Sequence, residues 1–200
     1  MGDEGGPWLP IGEVARRVGA AAWAERYLYE VVGTWAGTSS AAAVRVFFAA
    51  ASPHPAGRAR LWADRLPGTA ARPVAASSPT DLLQPPDEGA TAALVALSGL
   101  EGDAARLGAY CRVVLPRAVV SYRRWEARCS RLSDGPISRA LMFTLSDLHA
   151  DWEEGSAVLA GLLSSAGQGS AAAGAIAEAA ASAAEIERHL LEKGPGEHAG

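Results

Sequence analysis

Residues 18–32 read VGAAAWAERYLYEVV. Val18, Ala21, Ala22, Leu28, Tyr29 and Val32 recur at i, i+3, i+4 spacing, which marks an amphipathic helix. Glu25 lies on that same apolar stripe. A carboxylate turned into a helical core is costly unless it is paired. The stretch therefore decides for helices packed on an apolar face, and it raises the question of what Glu25 meets. The spacing predicts a helix from about Ile11 to Ala36, with Gly37-Thr38-Ser39-Ser40 as its stop and as a cap for the next element.

Three further helical patterns follow. The second begins near Ser40 with Val44, Phe47, Phe48 and Ala51, is interrupted by Pro53 and Pro55 around His54, and resumes with Arg58, Leu61, Trp62 and Arg65 up to Pro67-Gly68. It reads as one kinked helix or two short ones meeting near His54. Residues 68–90, rich in Pro, Ser and Gly, predict a long surface connection that suits a crossover, with a short helix over Thr91–Leu100. The third pattern runs from about Asp103 to Leu132, with the stripe Leu107, Tyr110, Cys111, Val114, Ala118, Ser121, Tyr122, Trp125 and Cys129, and Pro116 predicts a kink. Ser133-Asp134-Gly135-Pro136 is a boundary with proline placed for a first turn. The fourth helix is expected from Pro136 to about Leu163, its stripe carrying Thr144, Leu148, Asp151, Trp152 and Gly155.

The expected organisation is a leader at 1–10, a helical bundle at 11–165, a C-terminal alanine-rich helix within 166–193, and a tail at 194–200. Alanine forms helix well but buries little area. Packing of that last helix across a two-fold axis, a homodimer, is the resulting expectation. No repeat, no strand alternation of useful length and no glycine-rich phosphate loop is present.

With 200 residues, 49% of them apolar and 20% charged, the chain is long enough for one domain with a real core. The net charge of −4 speaks against general nucleic-acid binding, and the alanine-rich stretches are too weakly apolar to span a membrane. The basic charge is nearly all arginine, Lys193 being the one lysine. Arg106, Arg112, Arg117, Arg123, Arg124, Arg128, Arg131 and Arg139 cluster in and after the third helix, against Glu126 and Asp134 alone. That run reads either as a solvated face or as a site for an anion or an acidic protein partner. Cys111 and Cys129 lie eighteen positions apart on one expected helix, roughly 27 Å at the helical rise, so they cannot bridge each other within it. With an N-terminus that has no apolar signal core, a cytoplasmic protein is the expectation.

Four stretches carry a resemblance to a known family: Ala22-Trp23-Ala24-Glu25, PHPAGRARLWADRLP at 53–67, RVVLPRAVVSYRRWEARCSRLSDGPISRAL at 112–141, and DLHADWEE at 147–154. Together with the crossover they resemble a ferritin-like group from actinobacteria, over roughly Ile11 to Leu163. The resemblance implies an all-α, ferritin-like four-helix bundle. In di-metal members two helices each give a carboxylate and two others each give a Glu-x-x-His pair. This chain departs from both pairs. Arg58 and Arg60 stand where acidic or imidazole ligands belong, Ala150 follows Asp147 by three, Glu154 follows Asp151 by three, and His149 has no carboxylate at the required spacing.

The expectation is therefore a bundle with a degenerate di-metal site, carrying no metal and no cofactor. Arg58 would neutralise Glu25 and Asp151 by bidentate hydrogen bonds, with Tyr122 as an added donor. Glu25 or Asp151 is the candidate base and Arg58 or Tyr122 the electrophilic support. His54, Trp62, Tyr29, Trp125 and Asp147 are the candidate ligand-binding residues around them. The plainer readings are a surface kink residue for His54 and ordinary core packing for the aromatics. Three classes of function follow: a ligand-binding bundle acting on a small organic molecule, a partner-binding scaffold, and a working di-iron oxidase whose ligands lie elsewhere.

Overall fold

The computed structural model describes residues 9–66, 79–130 and 132–166. The expected C-terminal helix and tail, and most of the expected leader, lie outside the described residues. Within them the chain is all-helical, and no helix is long and apolar enough to cross a membrane.

Helix α1 spans Ile11–Thr38 and is followed by α2 at Ala42–Ala51 and α3 at Pro53–Ala63. The break between α2 and α3 falls at Ser52, where Pro53 enters the first turn of α3 and removes one backbone donor. A single 3-10 turn at Pro79–Leu82 leads to α4 at Glu88–Ser98, three residues earlier than its apolar pattern suggested. The start is set by Asp87, whose carboxylate accepts from the Ala90 N–H. The 3-10 turn is seated against Gly19 of α1: a Cβ there would lie 1.9 Å from the Leu82 carbonyl oxygen. No side chain fits at that crossing.

The third helical pattern is three elements: α5 at Asp103–Ala109, one turn of π-helix at Tyr110–Val114, and α6 at Leu115–Glu126. The cause is Pro116, which has no N–H and whose ring collides with the carbonyl four residues back. The wider turn, closed by the Leu115 N–H on the Tyr110 carbonyl, absorbs both problems. It also advances the buried face by one residue. Leu115 and Val119 are buried where Val114 and Ala118 were expected, and Ser121 is exposed. The helix stops at Glu126, short of the expected Leu132. Helix α7 spans Gly135–Ala166.

Helix α1 packs chiefly on α3 and α2, while α7 packs on α6, α5 and α2. The core between them is aromatic. Phe47, Phe48, Tyr110 and Trp35 form one cluster with ring centroids 5.2–6.2 Å apart. Trp62, Tyr122 and Trp125 form a second, stacked cluster, with Trp62 4.9 Å from Trp125 and 5.7 Å from Tyr122. Tyr29 corrects the first sequence pattern. It is 46% exposed, and Val31 and Trp35 complete the buried stripe instead. A 28-residue helix drifts relative to a fixed sequence pattern, so its core face turns away from Tyr29.

Candidate functional site

Four elements each turn a polar side chain into one place. Glu25 comes from α1, Arg58 from α3, Tyr122 from α6 and Asp151 from α7, and all four are buried, Tyr122 the least so at 8% exposed. Each sits on an apolar stripe of a helix whose partners bury it, so packing of the core forces the four together. Arg58 Nε donates to Glu25 Oε2 at 2.9 Å, and Arg58 Nη1 reaches Asp151 Oδ2 at 3.5 Å. The Tyr122 hydroxyl donates to Glu25 Oε1 at 3.0 Å. His54 Nδ1 lies 2.6 Å from Asp151 Oδ1.

Every carboxylate oxygen of the cluster is thus already accepting a hydrogen bond. That answers the metal question implied by the ferritin-like resemblance. A dication would have to share the two carboxylates with the positive guanidinium of Arg58, which bonds to both, while Tyr122 and His54 hold their other oxygens. Among the described residues no group of three or more His, Cys, Asp or Glu side chains is disposed to hold a metal ion. The donor set does not fit a di-metal centre.

His54 differs from the rest in exposure. Its side chain is 44% exposed while Asp151 is 2% exposed. Pairing with a carboxylate assigns the proton to Nδ1, which leaves Nε2 as an acceptor in the neutral ring. A buried carboxylate is thereby connected to solvent through one imidazole. His54 and Arg58 are four residues apart on α3, so one helical face carries both. That spacing was the signal in the sequence by which His54 belongs to the cluster.

The electrostatics follow from burial. Burial pushes the Asp151 carboxyl above the ordinary carboxylate value, and the hydrogen bond and charge of His54, with Arg58, pull it back only in part. Burial, with Glu25 close by, holds the Tyr122 phenol well above its ordinary value, so it is a donor and not a phenolate. For Arg58, burial alone would lower the guanidinium; Glu25, the two tyrosines and Asp151 outweigh it and raise it, so the charge is permanent.

Tyr110, from the π turn, is the participant that sequence reasoning took for plain core. Its hydroxyl is fully buried and, beyond the effect of burial, feels the charges of Asp151, Arg58 and Glu25. Of the expected lining residues, Trp62 and Trp125 stack beside Tyr122. Asp147 is half-buried one turn before Asp151 and makes no hydrogen bond to the cluster, and Tyr29 is on the outer surface. His149 is exposed and lies against Trp152. Cys111 and Cys129 are free thiols; burial pushes Cys111 up to about 12, which makes it inert at neutral pH.

Over the described residues the chain is all-helical and holds a buried carboxylate–guanidinium network in which every carboxylate oxygen accepts a hydrogen bond. No family model matches the chain, and neither the curated proteins nor the solved structures contain a match to it.

Proposed function

We propose that this chain is a ferritin-like four-helix bundle in which a guanidinium has taken the place of the di-metal centre, and that the cluster binds a small organic ligand at its His54 side. The observation that carries this reading is the connection of buried Asp151 to half-exposed His54 across 2.6 Å. A purely structural ion pair has no need of a titratable ring at the surface. In this reading His54, oriented by Asp151, exchanges a proton with the ligand through Nε2, and Arg58 favours the ionised form of Asp151 and holds it in place. Glu25 and Tyr122 fix Arg58 in turn. The furthest reach of such a site is metal-free acid–base chemistry.

The test is a fragment screen followed by the ring signals of His54 in NMR spectra, using neutral carbonyl compounds, amines and carboxylates. The expected result is a family of fragments that shifts His54 in the wild type and loses affinity at least tenfold in Asp151→Asn. A screen that leaves His54 unmoved at millimolar concentrations removes the ligand-binding reading.

A partner-binding scaffold is the second reading, and two observations favour it. Two surface clefts lie along α1, one lined by Trp23, Arg26, Tyr27 and Glu30 and the other by Tyr27, Glu30, Val31, Thr34 and Trp35 with Ser98 of α4. Arg112, Arg123, Arg124 and Arg128 are exposed, and among the described residues only Arg123 of these is paired, with Glu126 at 2.8 Å. Those arginines suit an acidic protein surface.

A further inference from the structure

The two clefts along α1 adjoin, because Tyr27 and Glu30 line both, and together they make a groove from Trp23 to Trp35, roughly 18 Å at the helical rise. It is largely apolar: Val31 and Trp35 are buried at one end, and Trp23 and Tyr27 stand half-buried along it with rings 5.9 Å apart. Ser98 of α4 borders its Trp35 end. That end lies where α1 stops and α2 and α5 begin, since Arg106 Nη1 donates to the Thr38 hydroxyl at 3.0 Å and the Asp103 carboxylate accepts from the Ala41 N–H. Helix α7 finishes at the same end of the bundle. It runs antiparallel to α6 across a short connection, and its Gly155 lies against Cys111. From that level Ala166 is roughly 16 Å further on and Asp103 roughly 12 Å, in the same direction.

We propose that this groove is the docking site of the chain's own residues 176–190, which follow α7 at the open end and run back along α1 as an amphipathic helix. Ile176, Ala179, Ala183, Ile186 and Leu190 recur there at alternating spacings of three and four, the stripe by which a helix lies in an apolar groove. Length fits: as a helix the stripe covers roughly 21 Å from Ile176 to Leu190, against the groove's roughly 18 Å. Reach fits too, because residues 167–175 extend to roughly 30 Å, about three times the spacing of packed helices. Charge fits the direction. With Ile176 at the Trp35 end, Ile186 comes to the level of Arg26, and Glu185 and Glu187 on either side of it meet a guanidinium that is 75% exposed. The pair that Arg26 makes with Glu30 on α1 is a long one at 3.6 Å, so it yields readily to a second carboxylate. The alanines in the stripe bury little area, so as a separate peptide it would bind weakly. Attachment to α7 makes the docking intramolecular and supplies the lacking affinity as effective concentration, which selects the chain's own segment over a separate partner.

The inference is independent of the ligand-binding reading at His54. Its test uses the full-length chain carrying a nitroxide at Ser182→Cys in a Cys129→Ser background, Cys111 being buried and inert. Backbone amide intensities of the 15N-labelled protein are compared with the nitroxide oxidised and reduced. The expected result is at least a threefold loss at Tyr27 and Val31, with Arg124 on the exposed, arginine-rich side of α6 unchanged. Adding Ile186→Asp, which breaks the stripe, should restore the Tyr27 and Val31 signals, and unchanged amide positions in α3 and α7 would show that the bundle is intact in that variant. Loss at Arg124 in place of Tyr27 would seat the segment on the arginines and overturn the proposal. Loss seen only when nitroxide and 15N are on different chains would assign the groove to a second copy and overturn it as well. No loss at either face, or a loss that Ile186→Asp leaves intact, would do the same.

Discussion

Arg58 is the residue on which the interior depends. It touches two carboxylates from two other helices, and all three side chains are 1–2% exposed. Breaking a buried ion pair by removing one partner costs about 3–5 kcal/mol, because the other charge stays buried and alone. Arg58→Met keeps most of the stem volume and removes the charge, so the loss it causes belongs to the stranded carboxylates. We expect a loss of that size by urea denaturation. Combining it with Glu25→Gln and Asp151→Asn should recover most of the loss, since neutral amides still bond to Tyr122 and His54 without stranded charge. A single variant as stable as wild type would show that the carboxylates are not buried as ions. A triple variant more stable than wild type would mean that the charges are kept for a purpose other than stability.

At the scale of elements, two close contacts fix how the helices meet. A Cβ on Gly155 of α7 would lie 2.6 Å from Cys111 Sγ and 2.6 Å from Phe47 Cζ. Alanine would favour the helix by up to about 1 kcal/mol. Overpacking a filled core costs about 1–3 kcal/mol, and here the obstacle includes an aromatic ring held by Phe48 and Tyr110. The clash wins, so Gly155→Ala is expected to lower stability, and a raised melting temperature would contradict the α7–α2 packing. The second contact is Asp103 at the start of α5. Helix α2 has no capping side chain of its own. The Asp103 carboxylate caps it from 62 residues away, accepting from the Ala41 N–H at 2.6 Å and from the Ser40 N–H and hydroxyl. Asp103→Ala should cost about 0.5–2 kcal/mol, the usual worth of an N-cap. Hydrogen exchange would place the loss in the first turn of α2, and uniform loss across the chain would argue against a cap.

For the whole molecule, the inward geometry of Glu25, Arg58, Tyr122 and Asp151 was legible because a polar residue on an apolar helical stripe has one direction to point. What was not legible depends on features that periodicity does not encode. Tyr110 on a stripe looks the same whether its hydroxyl meets lipid-like core or a charged cluster. The one-residue advance of the buried face after the π turn needs the Pro116 collision to be resolved in three dimensions, and the Asp103 cap joins residues far apart in sequence. The pH dependence of stability joins these scales, because the two carboxylates act with opposite sign. The hydrogen bonds that the Asp103 carboxylate accepts from Ala41 and Ser40 outweigh its partial burial and hold its folded pKa below the ordinary 3.8. Its contribution is therefore present above the unfolded value and is lost as pH falls through the folded one. Asp151 is the reverse: burial raises its folded pKa above 3.8. The native state then holds that proton more tightly than the unfolded chain, so the cost of burying the charge is absent at low pH and grows as pH rises through the folded value. Urea denaturation from about pH 3 to pH 7 separates them, since a tenfold difference in proton affinity between the folded and unfolded chain is worth about 1.4 kcal/mol at most. In Asp103→Asn the rise of stability with pH should flatten, most of all below the unfolded carboxylate range. In Asp151→Asn it should steepen just above that range, because an opposing slope has been removed. Parallel pH profiles for wild type and Asp151→Asn would mean that His54 and Arg58 together cancel the burial of Asp151 in full.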